Sequence, residues 1–215
     1  MNWLSMPNCL HVSGHSRYSK LELASILKFK QRHPEMELNI IKGQEWLSSF
    51  EEPDANIAAR NLLLVDIAAH YGDIIYLICQ LGEQSTPDRS PNFFLKLSEL
   101  LTYLYGHTKT VNPGFPAMTK QDMVKEYLDR DFPVEDLWKT YSCFSSNEDR
   151  CGQCAACFRT MVALDYNNIL PDKFFGNDIL KWDGISLYRK KLLAREYDPR
   201  RTAQIIKVLT KNNLW

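Results

Sequence analysis

The chain reads as an α/β protein: a partial doubly wound parallel sheet over residues 1–118, then a helical part over residues 119–215 that holds a cysteine cluster. Three observations predict this. Strand and helix patterns alternate through the first ninety residues, as they do where helical crossovers link parallel strands. Beyond residue 90 the pattern becomes helical. Within that helical part, Cys143, Cys151, Cys154 and Cys157 stand in the spacing C-x7-C-x2-C-x2-C.

The first strand is Asn8-Cys-Leu-His-Val-Ser13, ended by Gly14. A helix follows, with Ser19 and Glu22 in the positions of a capping box and Leu21, Leu23, Ile26, Leu27 and Phe29 as its apolar face before Pro34. Met36 to Ile41 alternates apolar and polar residues as a strand does. Ala58 to His70 is a strongly apolar helix stopped near Gly72. Ile74 to Cys79 is a continuous apolar run, the pattern of a central strand covered on both faces. Ligands in such sheets sit outside the carboxyl ends of the strands, here Ser13-Gly14-His15, Lys42-Gly43 and Gln80-Leu-Gly-Glu83. Further on, Thr119 caps a helix through Leu128, Val134 to Thr140 makes a short one, and Phe158 to Leu164 follows the cysteines. Asp198-Pro199 opens the last helix with a capping side chain and a proline in the first turn.

Two residues between cysteines is the reach of a tight turn, so three thiolates can aim at one point and Cys143 supplies a fourth. Four thiolates on a tetrahedron are what structural zinc prefers, with no position left open for water. The plainer readings are two disulfides or free thiols. Cys9 and Cys79 sit singly in apolar runs, like ordinary buried residues, which favours the metal. Thiolates kept as ligands imply a reducing compartment, and the start Met-Asn-Trp-Leu-Ser-Met-Pro has neither the basic start nor the apolar core of an export signal. No apolar stretch approaches the ~20 residues of a membrane span. A cytoplasmic protein is expected.

Net charge is +0, with 45% hydrophobic and 24% charged residues, so overall electrostatics name no partner. From Lys181 to Trp215, nine Lys or Arg stand against three acidic residues. That tail could meet an acidic partner or nucleic acid, although solvated helix faces look the same. Nucleic acid is disfavoured, because the tail has no recognisable binding motif and its aromatics, Trp182, Tyr188 and Tyr197, are sparse.

Several stretches, in order, resemble the 7-cyano-7-deazaguanine synthase family, zinc-containing PP-loop ATPases of the queuosine pathway with an adenine nucleotide alpha hydrolase-like sheet. Tyr141-Ser-Cys143 and Cys151-Gly-Gln-Cys-Ala-Ala-Cys157 match the family's zinc run. Ala59-Arg-Asn-Leu-Leu-Leu64 resembles its Arg-Asn helix start, and Pro87-Asp-Arg-Ser-Pro-Asn-Phe-Phe94 its Pro-Asp-Cys-Arg-Pro-x-Phe segment. Thr119-Lys-Gln-Asp-Met-Val124 resembles its Lys-x-Glu-Ile-Val helix, and Gly14-His15 falls near its Tyr-Gly-Gln. The resemblance covers roughly residues 9 to 165. It implies a structural zinc on the four cysteines and an ATP-dependent ligase that turns a 7-deazaguanine carboxylate into a nitrile with ammonia. It also implies substrate or nucleotide contacts at Arg60, Asn61, Asp88, Arg89, Lys120 and His15. For each of these a solvated helix or turn residue is the plain alternative. His11, His33, His70 and His107 have no spacing that suggests a second metal.

The sequence departs from the family at the pyrophosphate loop. Its nine glycines are isolated, and no Ser-Gly-Gly-x-Asp-Ser stands among these residues. ATP and Mg are therefore expected only if a PP-loop comes from elsewhere. Three functions remain open: part of an active ligase completed by a loop-bearing piece, a catalytically dead relative that binds a deazaguanine, a nucleotide or a protein, or a zinc-stabilised nucleic-acid-binding protein. The family's first strand would lie between Asn8–Ser13 and Ile74–Cys79. An exposed edge and apolar face are expected there, covered by a homo-oligomer or a second chain that completes the sheet.

Overall fold

The computed structural model describes residues 8–13, 16–43, 45–52, 57–84, 86–146 and 149–215. Strand β1 is Cys9–Val12, helix α1 Ser19–Arg32 and β2 Leu38–Ile41, followed by a 3-10 helix at Glu45–Phe50. Then come α2 Arg60–Ala69, β3 Ile74–Gln80, a 3-10 turn at Pro87–Arg89, α3 Pro91–Tyr105 and β4 Thr110–Phe115. Helices α4 Lys120–Asp129, α5 Val134–Lys139, α6 Ala155–Tyr166, α7 Gly184–Leu193 and α8 Pro199–Lys211 complete the chain, with a 3-10 turn at Ile179–Lys181 before α7.

These elements form two compact units that interleave along the sequence. One comprises Met1–Ala58, Asp131–Thr160 and Pro171–Trp182, and the other Ala59–Arg130, Met161–Leu170 and Asp183–Trp215. Among the described residues each has one short two-stranded parallel sheet.

In the first unit β1 pairs with β2 from Cys9↔Leu38 to Val12↔Ile41. Helix α1 starts one residue earlier than its capping pattern suggests. Tyr18 is the N-cap, with no side-chain cap, and Ser19 lies inside the helix, so the expected Ser19–Glu22 box does not form. The far end of α1 is tied to α5 instead. Buried Asp136 takes Arg32 Nε at 2.6 Å and His33 Nε2 at 2.9 Å, and the Ser25 hydroxyl donates to the Lys139 carbonyl at 2.8 Å.

In the second unit β3 pairs with β4, and α2 and α3 pack on one face of that sheet. Val65, Ala69, Ile75, Cys79, Phe94, Leu97, Leu101 and Val111 form the core there. Strand β4 was read as part of a helical region. Its Asn112-Pro113-Gly114 has a turn's composition and keeps part of it inside the strand: Gly114 has φ +73°, its N–H donates to Asn112 Oδ1 at 2.8 Å, and the pairing with β3 has a register irregularity between Tyr76 and Cys79 that passes the proline by. Strand β3 is covered on one face, not two. Ile75 and Cys79 are buried, whereas Ile74, Tyr76 and Ile78 are 63%, 41% and 52% exposed. A continuous apolar run cannot tell these cases apart, since every second residue stays apolar whether or not a layer covers it. Helix α4 has the predicted Thr119 cap with Asp122 closing a full capping box, and Asp198 caps α8 as its sequence signals. Among the described residues no helix is long and apolar enough to cross a membrane.

Candidate functional site

The four cysteines of the first unit converge. Cys143 follows α5, Cys151 and Cys154 lie on the turn before α6, and Cys157 is in the first turn of that helix. All four sulfurs lie within 4.8 Å of one another, and Cys151 and Cys157 Sγ are 3.9 Å apart. Ligands ~2.3 Å from one ion at tetrahedral angles stand about 3.8 Å apart, whereas a disulfide needs about 2.05 Å. All four are free cysteines.

The surroundings suit thiolates. The main-chain N–H groups of Ser145 and Cys151 donate to Cys143 Sγ at 3.3 Å, Gln153 to Cys151 Sγ at 3.3 Å and Cys157 to Cys154 Sγ at 3.4 Å. The Cys154 thiol is pushed down to about 4, first by its hydrogen bond with Cys157 and against burial. Burial pushes Cys151 up to about 11. The N–H donors and the close approach of the four sulfurs favour thiolate character, which a cation could bind. Cys143 and Cys157 are buried and the other two half-buried, so the donors face inward.

Gly152 makes the turn possible. Its φ is +67°, and a Cβ there would stand 2.4 Å from the Asn177 carbonyl oxygen. Segment 174–177 closes over this turn: the Asn177 amide donates to the Cys151 carbonyl at 2.8 Å, and Gly176 N–H to the Arg150 carbonyl at 2.7 Å. Arg150 lies 4.1 Å over the Phe174 ring and donates to the Thr140 carbonyl at 2.6 Å. Four soft donors, inward burial and N–H···S support mean that this cluster could hold a metal ion. With all four positions taken by sulfur, such an ion would be structural.

The second group lies in the other unit, at the carboxyl end of β3. Asn61, in the first turn of α2, is buried and donates through its amide to the Asp88 carbonyl at 3.3 Å. The Cys79 thiol donates to the Arg89 carbonyl at 3.5 Å. Arg89 Nη1 meets Glu83 Oε1 at 2.8 Å, and that carboxylate also accepts from the Gln80 amide at 3.1 Å and the Gln80 N–H at 3.2 Å. Asn61, Asp88 and Arg89 are therefore brought together, although Asp88 takes part through its carbonyl rather than its carboxylate. Arg89 must exchange Glu83 for any ligand carboxylate it would grip.

Arg60 opens α2, directly after Ala59 in the left-handed region at φ 57. Lys120 opens α4, just past the carboxyl end of β4, where the Leu81 N–H donates to the Met118 carbonyl at 2.8 Å. Both are half-buried. His15 lies outside the described residues. The sequence places Gln80-Leu-Gly-Glu83 at a ligand-facing strand end but does not show that Gln80 and Glu83 bond each other and Arg89 there. An acidic residue just past Gly82 at a strand end was the available signal. From α8, Arg201 Nη1 donates to the Gly82 carbonyl at 3.1 Å and fixes that turn.

A family model described as "Queuosine biosynthesis protein QueC" matches residues 19–168. Three curated relatives are each named 7-cyano-7-deazaguanine synthase. That of Sulfolobus acidocaldarius is 26% identical over 166 residues, which are 74% of this chain and 32% of that protein. That of Methanospirillum hungatei is 32% identical over 120 residues, 52% of this chain and 53% of the other. That of Prochlorococcus marinus is 28% identical over 116 residues, 49% and 50%. The chain spans about half the length, or less, of these relatives.

Proposed function

The chain belongs to the queuosine biosynthesis protein QueC family, and on that premise we propose that it is part of a 7-cyano-7-deazaguanine synthase-like ligase. It would supply a zinc-stapled unit and the substrate-recognising strand end, while the phosphate-binding loop comes from outside these 215 residues. The observation that carries the reading is the four-sulfur cluster at the family's spacing, inside the matched region.

The chemistry divides accordingly. A carboxylate is a poor electrophile, so ATP converts it to an adenylate with a good leaving group, ammonia gives the amide, and a second activation permits dehydration to the nitrile. Charge developing on phosphate needs preorganised donors or cations. Arg60 and Lys120, at helix starts, are the cations of this chain proposed to meet it. Asn61, Asp88 and Arg89 would present main-chain and side-chain groups to the base and its carboxylate. Zinc on Cys143, Cys151, Cys154 and Cys157 would be structural, holding the cysteine turn closed. The reading includes the cytoplasm, where clustered thiolates stay reduced.

The loop-bearing piece is proposed to complete the sheets, since among the described residues β1 and β3 each have one hydrogen-bonded neighbour and Ile74, Tyr76 and Ile78 on the outer face of β3 are exposed. A second reading, a non-catalytic binding protein of the same fold, is favoured by the lack of any Gly-Gly pair in the sequence. The test is direct. Native mass spectrometry is expected to find one zinc per chain, and calorimetry binding of 7-carboxy-7-deazaguanine that Arg89→Ala weakens. By itself the chain should form no AMP from ATP. A metal-free folded chain would overturn the zinc assignment, and absence of deazaguanine binding the substrate assignment.

A further inference from the structure

Helix α8 lies beyond the family match, which ends at residue 168, yet two of its side chains reach the candidate ligand site. Both belong to the unit that holds β3 and α4. Arg200 Nη2 pairs with Asp122, in the first turn of α4, at 3.0 Å. Arg201 Nη1 donates to the Gly82 carbonyl, in the turn after β3, at 3.1 Å. The neighbouring arginines therefore straddle the carboxyl end of β3 and the start of α4, where ligands of such sheets sit.

The two differ in their counter-ions. Arg200 is exposed and has Asp122. Arg201 is half-buried, and it has no ion pair with the described residues. Its guanidinium lies 4.7 Å over the Tyr197 ring, which stacks on buried Tyr188 at 6.2 Å. The turn makes room for it: Gly82 has φ +87°, and a Cβ there would stand 2.8 Å from Arg201 Nη1. The Gly82 carbonyl takes one of its five N–H donors. Glu83, the acid next to that carbonyl, is already held by Arg89 and Gln80. A cation drawn partly out of water is ordinarily paired, and clamping a carbonyl needs only one neutral donor. We propose that Arg201 is an oxyanion-binding residue of this site, gripping a phosphate of the nucleotide or the carboxylate of the base. A guanidinium fork steadied on an aromatic face suits two parallel N–H···O bonds to either group. The assignment rests on the reading of this strand end as the ligand site and adds to it a residue from outside the family match.

Inorganic pyrophosphate and 7-carboxy-7-deazaguanine separate the two sources. Calorimetric titration of the full chain is expected to show salt-dependent binding of at least one, at about millimolar affinity or better. Arg201→Gln keeps a donor for Gly82 and removes the charge, so it should weaken that probe by about tenfold while the urea midpoint stays at the parent's. Arg201→Lys keeps the charge without the fork and should bind with intermediate affinity. Lys207→Gln, elsewhere on α8 over the Tyr166 ring, should bind as the parent does. Parental affinity in Arg201→Gln, an equal loss in Lys207→Gln, or binding of neither probe by the parent would overturn the proposal. If the glutamine variant fails to fold, parental affinity in Arg201→Lys would do the same. Binding of pyrophosphate alone, dependent on Arg201, would support it while removing the substrate assignment made above.

Discussion

Asp122 shows how much one side chain can hold. It closes the α4 capping box by accepting from the Thr119 N–H at 2.9 Å, takes the Gln204 amide of α8 at 2.8 Å and pairs with Arg200 at 3.0 Å. Burial pushes its carboxyl up, but the Thr119 N–H and hydroxyl, the Gln204 amide and the Arg200 charge outweigh it, so it titrates below the usual range. A group depressed in this way contributes stability above its unfolded value, near 3.9, and loses it as pH falls through the folded value. Asp122→Ala is expected to cost about 1–2 kcal/mol at pH 7. In denaturant titrations the gap to the parent should close as pH drops below about 4.

Element by element, the sheets explain both what was predicted well and what was not. The two faces of β3 differ although the residues hardly do. Ile75→Ala opens a cavity in the core beneath α2 and α3 and should cost about 2–4 kcal/mol. Ile74→Ala, one residue away and 63% exposed, should cost less than about 1 kcal/mol. Equal losses in urea unfolding would mean that a further layer covers the outer face of β3. Helix α7 was not predicted, although Ile185, Tyr188 and Leu192 are its buried face at helical spacing. Its basic residues, Arg189, Lys190 and Lys191, drew the reading towards a charged tail instead.

At the scale of the molecule, the cysteine cluster belongs to one unit only. Removing the proposed zinc should therefore act locally. With a strong chelator, hydrogen exchange is expected to quicken in residues 131–160 and 171–182, which form the turn and its cover, while residues 59–130 keep their protection. Uniform quickening across both units would show that the site supports the whole chain rather than its own unit.

The four-sulfur cluster was legible in the sequence because short-range spacing alone brings three of its sulfurs to one turn. The same holds for the caps of α4 and α8 and for the parallel character of the sheets, which follow from local side-chain chemistry and element order. Other features depend on partners distant in sequence. Only tertiary structure could show that Asn112-Pro113-Gly114 lies in a strand, because the strand that pairs with it, Ile74–Gln80, is distant in sequence. Arg89 likewise reads as a free cation until the turn after β3 folds Glu83 against it. Which face of β3 is bare was equally hidden. Hydrophobic patterning records what a residue is, whereas burial depends on what another part of the chain, or another chain, brings to it.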